Sequence, residues 1–413
     1  MYQLNSILSL FEITDPNIFI TGISQSTDQN GLHIHRIHAT LINTPICCPH
    51  CNSESLIKNG KHLSHIRLGT LNGGRYELEL SRQRYLCHNC QKTCGAKTTI
   101  VQMNHTFSNN INHQVIQLAR KSITAKTIAE MLAISCSSVQ RIINNEVHQS
   151  YRIKILPEHL CFDEFRSCQK LMSFNCCDSV THERVVLLKD RLSKSIIDYF
   201  ESHFSLVERG NVLSVVVDMN AAYASFIHRL FPNAKVIIDR FHIVQLAGKA
   251  LDKERVNLVQ TVPDTHSRIH RILKSQWKLF HLQATEIDAT RVRYLFGVNE
   301  YMTQQNAIDL GLDQSPQFKV VYQIYQDLLQ AIRTGDSKRM TTLLNHYRAT
   351  HTEMDTVMAT LRKNKIAVIN SCLFQYSNGP LEGINRKIKV LKRNCYGFRN
   401  RENFFTRIAL IYK

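Results

Sequence analysis

Short apolar runs at 159–166, 171–177, 184–189, 212–218 and 235–239 alternate with helical patterns near 193–204 and 221–230. After His242 the strand signals stop. Strands alternating with helices restrict this part of the chain to an α/β sheet. Residues 243–370 instead read as helix nearly throughout, with Val321, Ile324, Tyr325, Leu328 and Leu329 at three-to-four spacing. A helical block of that length inside an α/β domain predicts an insertion. The sequence therefore divides a core into two parts, 151–245 and 371–413, around a helical insertion at 246–370. The helix starting near Asn378 is expected to return to the sheet.

Two runs end in, or enclose, an acid that an apolar strand would not carry without a reason. Asp163 lies in Cys161-Phe-Asp-Glu-Phe, and Asp218 closes Val-Leu-Ser-Val-Val-Val-Asp. A carboxylate at the end of a buried strand is costly unless it is paired or coordinates a cation. Glu164 competes with Asp163, but strand alternation sends only one of the two to a given face. Glu382 is a third such acid. Seven Lys or Arg follow it before the next acid, Glu402. On a helix, Glu382, Arg386, Lys389 and Arg393 share one stripe, while Ile384, Ile388 and Leu391 form an apolar one. Glu382 suits a metal ligand beside cations that hold a phosphate backbone, and it equally suits an ordinary ion pair with Arg386. Three acids holding two Mg²⁺ or Mn²⁺ ions are what phosphoryl transfer to water or a hydroxyl needs, and hard oxygen ligands suit those ions.

The first 105 residues carry Cys48-Pro-His-Cys51 and Cys87-His-Asn-Cys90, with 35 residues between the two turns. Two tight turns presenting four thiolates match the tetrahedral demand of a structural Zn²⁺; buried or redox-active thiols are the alternative. Cys47, Cys94, His50 and His88 are further donors nearby, so the ligand set stays open. Residues 106–150 have the grammar of a helix-turn-helix. Ile128, Ala129 and Leu132 form one apolar face, Ile134 sits in the turn, and Val139, Ile142 and Ile143 form the next. Ser135 can cap the second helix, leaving Ser137, Ser138, Gln140 and Arg141 to face bases or phosphates. The same hairpin also occurs as a plain packing unit.

The formal net charge of +18 on 413 residues favours a polyanionic partner, double-stranded DNA first. A solvated basic surface is the bland alternative. No apolar run approaches the ~20 residues of a membrane span, and the start shows no secretion signal. Thirteen cysteines, an odd count with several scattered singly, fit a reducing cytoplasm.

These pieces together resemble a bacterial insertion-sequence transposase of the ISL-three family, within the DDE class. The resemblance rests on Cys48-Pro-His-Cys, Tyr85-Leu-Cys-His-Asn-Cys, Asp163-Glu-Phe, Asp218-Met and Phe231-Pro-Asn-Ala-Lys-Val-Ile-Ile-Asp-Arg-Phe-His. It continues in Leu381-Glu-Gly-Ile-Asn-Arg-Lys-Ile-Lys, Tyr396-Gly-Phe-Arg-Asn and Asn403-Phe. It implies an α/β ribonuclease-H-like core interrupted by an all-helical insertion and preceded by a zinc-ribbon-like module and a helix-turn-helix. It also implies that Asp163, Asp218 and Glu382 are the catalytic triad, with Asp239 and His242 as auxiliaries that also suit a purely structural role. Trp277, the only Trp, is in this reading either core or a stacking platform for a flipped base. The implied activity is binding of terminal inverted repeats, strand cleavage and joining to target DNA, by at least a dimer at synapsis, in the bacterial nucleoid. The rivals are a DNA-binding regulator with a silent core and a nuclease for RNA–DNA hybrids.

Overall fold

The structure, a computed structural model, describes residues 7–29, 31–150, 155–219 and 223–411, with backbone only at 148–150 and 224. The chain start, the boundary at 151 and the beginning of the helical stretch near 221–230 lie outside these residues. The chain divides into two units, 1–152 with 387–413, and 153–386.

In the first unit, strands β1 (Ile18–Thr27), β2 (His33–Leu41), β3 (Leu56–Leu71), β4 (Gly74–Cys87) and β5 (Thr93–Gly95) form one sheet. Its order is β1-β2-β4-β3, with β5 on β4; β2 and β4 run parallel and the other pairs antiparallel. Asn72 and Gly73, both at positive φ, close the long β3–β4 hairpin, a turn whose twist matches that of its strands. Ile37, Ala39, Leu41, Ile66, Leu68, Leu78 and Leu80 make the core of this sheet. Helices α1 (Asn109–Arg120), α2 (Ala125–Met131) and α3 (Cys136–Ser150) follow. Ser108, Thr124 and Ser135 each accept from an amide in the first turn of the next helix, the expected N-cap chemistry. Every apolar position named above between Ile128 and Ile143 is buried.

The second unit opens with β6 (His159–Arg166), β7 (Met172–Asp178) and β8 (Arg184–Leu188) as an antiparallel meander. Helices α4 (Ser193–His203) and α5 (Leu206–Gly210) lead to β9 (Ser214–Val217), and α6 (Ala224–Leu230) leads to β10 (Lys235–Ile238). The sheet order is β10-β9-β6-β7-β8, with β6, β9 and β10 parallel. One face carries Phe162, Phe174, Val215 and Val217 into the large core. The other presents Cys161, Cys177, Val216 and Ile237, covered by Leu381.

Helices α7 (Arg240–Thr261) and α8 (Arg268–Ser275) begin the insertion. It is not wholly helical: strands β11 (Arg293–Leu295) and β12 (Glu300–Met302) form a small hairpin. Three residues per strand are too few for an alternation pattern to register in the sequence. Helices α9 (Gln304–Leu312), α10 (Pro316–Thr334), α11 (Ser337–His346), α12 (Glu353–Lys363) and α13 (Lys365–Leu373) complete it. Arg240, at the head of α7, donates to the carbonyls of Ser371 and Phe374 at the end of α13, tying the exit of the insertion to its entry. Helix α14 (Gly379–Asn394) then returns over the sheet. No helix among the described residues is long and apolar enough to cross a membrane.

Residues 371–386 fall in the second unit and residues 387–413 in the first. The unit division falls inside α14, after Arg386, and α15 (Arg401–Ile411) packs against α1 and α3. Leu410 joins the three-helix core. Arg407, 1% exposed, donates to the carbonyls of Ala119 and Ile123 at 2.9 and 2.7 Å, where α1 ends. Methionine at Arg407 leaves both carbonyls without this donor, a cost of about 2–4 kcal/mol. Hydrogen exchange is expected to show protection lost in α1–α3 by that amount, with β6–β10 unchanged.

Candidate functional site

Register brings the strand acids together. Cys161 pairs with Val216, and Val216 with Ile237, across the three parallel strands. Two residues further on, Asp163 within β6 and Asp218 and Asp239 just past the ends of β9 and β10 fall in one row. They share the face of Cys161, Val216 and Ile237, which α14 covers, because side chains alternate. Glu164 goes to the opposite face, where it accepts from Arg191 at 2.5 Å and from the Tyr223 hydroxyl at 2.9 Å. Alternation thus sends Asp163 and Glu164 to opposite faces of the sheet.

Asp163 Oδ1 accepts from the Glu164 amide and Oδ2 from Asn385 Nδ2, both at 2.6 Å. Asp218 Oδ1 accepts from Asn378 Nδ2 at 3.0 Å and lies 3.2 Å from His242 Nδ1. The same nitrogen is 3.6 Å from Asp239 Oδ2, without an aligned hydrogen bond to either acid. Asp239 also caps α7, accepting from the Phe241 amide, so it has a structural task as well. Asp218, Asp239 and His242 lie close enough for one cation to reach all three. Glu382 enters from α14, and its charge adds to the cost of ionising Asp218. Among the described residues no ion pair joins Glu382 to Arg386.

Electrostatics show what this cluster lacks. Burial, then the neighbouring Asp218 charge, pushes the Asp163 carboxyl up to about 7. Burial also raises Asp218, against the pull of His242 and the Asn378 amide. His242 is raised by Asp239 beside it, against burial, with Asp218 and Asp163 adding. A raised carboxyl is a folding penalty: absent below pH about 4, it grows as pH rises and is complete above about 7. Asp163→Asn is therefore expected to stabilise the metal-free protein, by on the order of 1–3 kcal/mol at pH 8 and by less at pH 5. Thermal melts at the two pH values measure it; a variant no more stable than wild type at pH 8 contradicts the account. Crowded, under-neutralised oxygens of this kind fit a divalent cation. Asp218, Asp239 and His242 are the set within reach of one such ion, with the Asp163 and Glu382 charges beside Asp218.

The four knuckle cysteines converge independently. Cys48 Sγ is 3.6 Å from Cys90 Sγ, and Cys51 Sγ is 3.6 Å from Cys87 Sγ. All four sulfurs lie within 4.8 Å of one another. A tetrahedral ion with ~2.3 Å zinc–sulfur bonds needs sulfurs about 3.8 Å apart, so the set fits zinc. The Cys90 amide lowers the Cys87 thiol to about 6. The Lys92 amide favours the Cys90 thiolate too, but burial and the other three sulfurs push that thiol up to about 12. A bound cation would favour the thiolate form of such a cluster. Cys47, Cys94, His50 and His88 stand outside this group.

The other predicted contact residues are spread over the fold. Ser137 and Arg141 on α3 are exposed, and Ser138 is partly covered. Gln140 donates to Asn144, and to Thr406 of α15, so part of its capacity is used within the protein. Arg386, Lys389 and Arg393 are exposed along α14, while Leu381, Ile388 and Leu391 are buried. Trp277 is 40% exposed, edge-on to His281 with Lys278 over its ring, so it is not a core residue. Sequence reading missed Asn378 and Asn385; their placement at −4 and +3 from Glu382 is the signal that could have found them.

Residues 160–408 match the model of a family described as transposase, and residues 44–90 one described as zinc-finger of transposase IS204/IS1001/IS1096/IS1165. A Bordetella parapertussis protein named transposase for insertion sequence element IS1001 is 23% identical over 209 residues, 49% of this chain and 48% of that one. A Lactococcus lactis protein named ATP-dependent protease is 39% identical over 110 residues, 27% of this chain and 36% of that one. The chain thus spans half or less of the length of these curated relatives.

Proposed function

We propose, from the premise that this chain belongs to the ISL-three transposase family, that it cuts and joins DNA at the ends of an insertion sequence. The observation that carries the reading is the row Asp163, Asp218 and Asp239 on parallel strands, with Glu382 brought over it by α14. The strand order, with an antiparallel meander leading into two parallel strands, supports a ribonuclease-H-like core. Bound at this site, Mg²⁺ or Mn²⁺ would activate the attacking oxygen and stabilise the leaving one. The protein's part is to fix the carboxylates and line up the strand. Water attacks a phosphodiester at the element end, the phosphorus–O3′ bond breaks, and a 3′-hydroxyl is freed. That hydroxyl then attacks a target phosphodiester, displacing its own O3′.

The zinc-ribbon module and the helix-turn-helix formed by α2 and α3 recognise the terminal repeats, with Ser137 and Arg141 the exposed contacts. Arg386, Lys389 and Arg393 hold the backbone along α14. Synapsis of two ends makes the active form at least a dimer. Incubating the purified chain with Mg²⁺ and a duplex carrying the element end is expected to release 3′-hydroxyl ends and joined products. Tight end binding with intact DNA, in both Mg²⁺ and Mn²⁺, would instead identify a regulator with a silent core.

A further inference from the structure

Asn378, Glu382 and Asn385 are spaced i, i+4 and i+7, so they follow one face of the chain as it enters α14. Asn378 opens that turn: its carbonyl accepts from the Glu382 amide at 2.9 Å. Each asparagine grips one strand acid. Asn378 Nδ2 reaches Asp218 Oδ1 and the Phe162 carbonyl, both at 3.0 Å, and Asn385 Nδ2 reaches Asp163 Oδ2 at 2.6 Å. The Oδ1 atoms of both asparagines are buried with no partner. Asn175, opposite Asp163 across β6–β7 and fully buried, leaves both its amide atoms equally unpartnered. A buried acceptor without a donor costs about 1–3 kcal/mol, and three amides on one acid-lined face is not an arrangement that packing requires.

We propose that Asn378 and Asn385 are positioning residues for the phosphoryl-transfer site, each fixing the carboxylate of one strand aspartate from the helix that delivers Glu382. The inference rests on the metal-dependent reading above. A lysine or arginine in either place would also orient the acid, but it would neutralise the charge that a divalent ion needs and compete with the ion for it. An amide donor orients the carboxylate and leaves its charge available. The pairing also fixes the register of α14 on the sheet, because a helix rotated away from this face loses both hydrogen bonds together with Glu382.

The test uses the full chain and Mn²⁺ as probe, read as free Mn²⁺ by its spin-resonance signal. Asn385→Ala, and Asn385→Leu with similar volume and no donor, are expected to weaken Mn²⁺ binding about tenfold or more. Affinity for the end duplex should stay near wild type. Wild-type Mn²⁺ affinity in both variants overturns the inference, as does a fall in melting temperature with Mn²⁺ affinity unchanged. Asp163→Ala in the same assay separates the two readings. If it too binds Mn²⁺ as wild type does, the metal site itself is misassigned.

Discussion

Alanine at Asp163, Asp218 or Glu382 is expected to stop strand cleavage, each lowering the single-turnover rate by roughly 10³–10⁶-fold. In the proposed reading all three acids serve one metal site. Asp163 and Asp218 project from adjacent strands onto the face under α14. Glu382 lies close enough to influence the ionisation of Asp218. Because the acids act as a unit, a double replacement should be little worse than a single one. The ends should still be bound, since the exposed Ser137 and Arg141 belong to a separate unit of the fold. Filter binding and cleavage of the same labelled duplex measure both quantities together. One alanine variant cleaving at the wild-type rate would remove that residue from the site.

The adjacent pair Asp239 and His242 should behave differently from the triad. Asp239 caps a helix of 22 residues and is 2% exposed, so its loss mixes a folding cost with any effect on the site. His242 contacts Asp218 from the side, at 3.2 Å. A histidine there, raised by Asp239 beside it, helps to balance the charge of the acids.

The acids were legible because burial makes a strand-terminal carboxylate conspicuous, and period-two alternation separates Asp163 from Glu164 without any coordinates. The β6–β10 runs were legible for the same reason. The N-terminal strands β1 and β2 were not, since exposed Gln25 and half-buried His35 and His38 interrupt their apolar positions. Neither was the destination of α15. Its Phe404, Ile408 and Leu410 mark a buried face, but amphipathicity says that a helix has a partner and not which one. The asparagines at 378 and 385 escaped notice because a polar residue in a basic helix looks like surface until its partner is known.

Removal of zinc is expected to have the second large effect. The two knuckles sit at the open end of the long β3–β4 hairpin, joined besides by the His88 amide on the Ser55 carbonyl and by Asn89 Nδ2 near Cys51 Sγ. Cys87 is the last residue of β4, while Cys48 and Cys51 precede β3. Holding the sulfurs 3.6 Å apart without a cation would confine four thiols, one lowered to about 6 and one pushed up to about 12, in a single cluster. Structural zinc in small modules contributes an apparent ~10–16 kcal/mol at neutral pH, more than most domains have in reserve. A strong chelator, or Cys87→Ser, should therefore unravel the knuckles and the far end of the hairpin and reduce end binding at least about a hundredfold. The core sheet β6–β10 lies in the other unit and carries its own apolar core, so its hydrogen-exchange protection should survive. Metal analysis should give one zinc per chain before chelation and none after. Chelated protein that still binds the ends as tightly would show that the knuckles are dispensable for recognition, and would leave α2 and α3 to carry it alone.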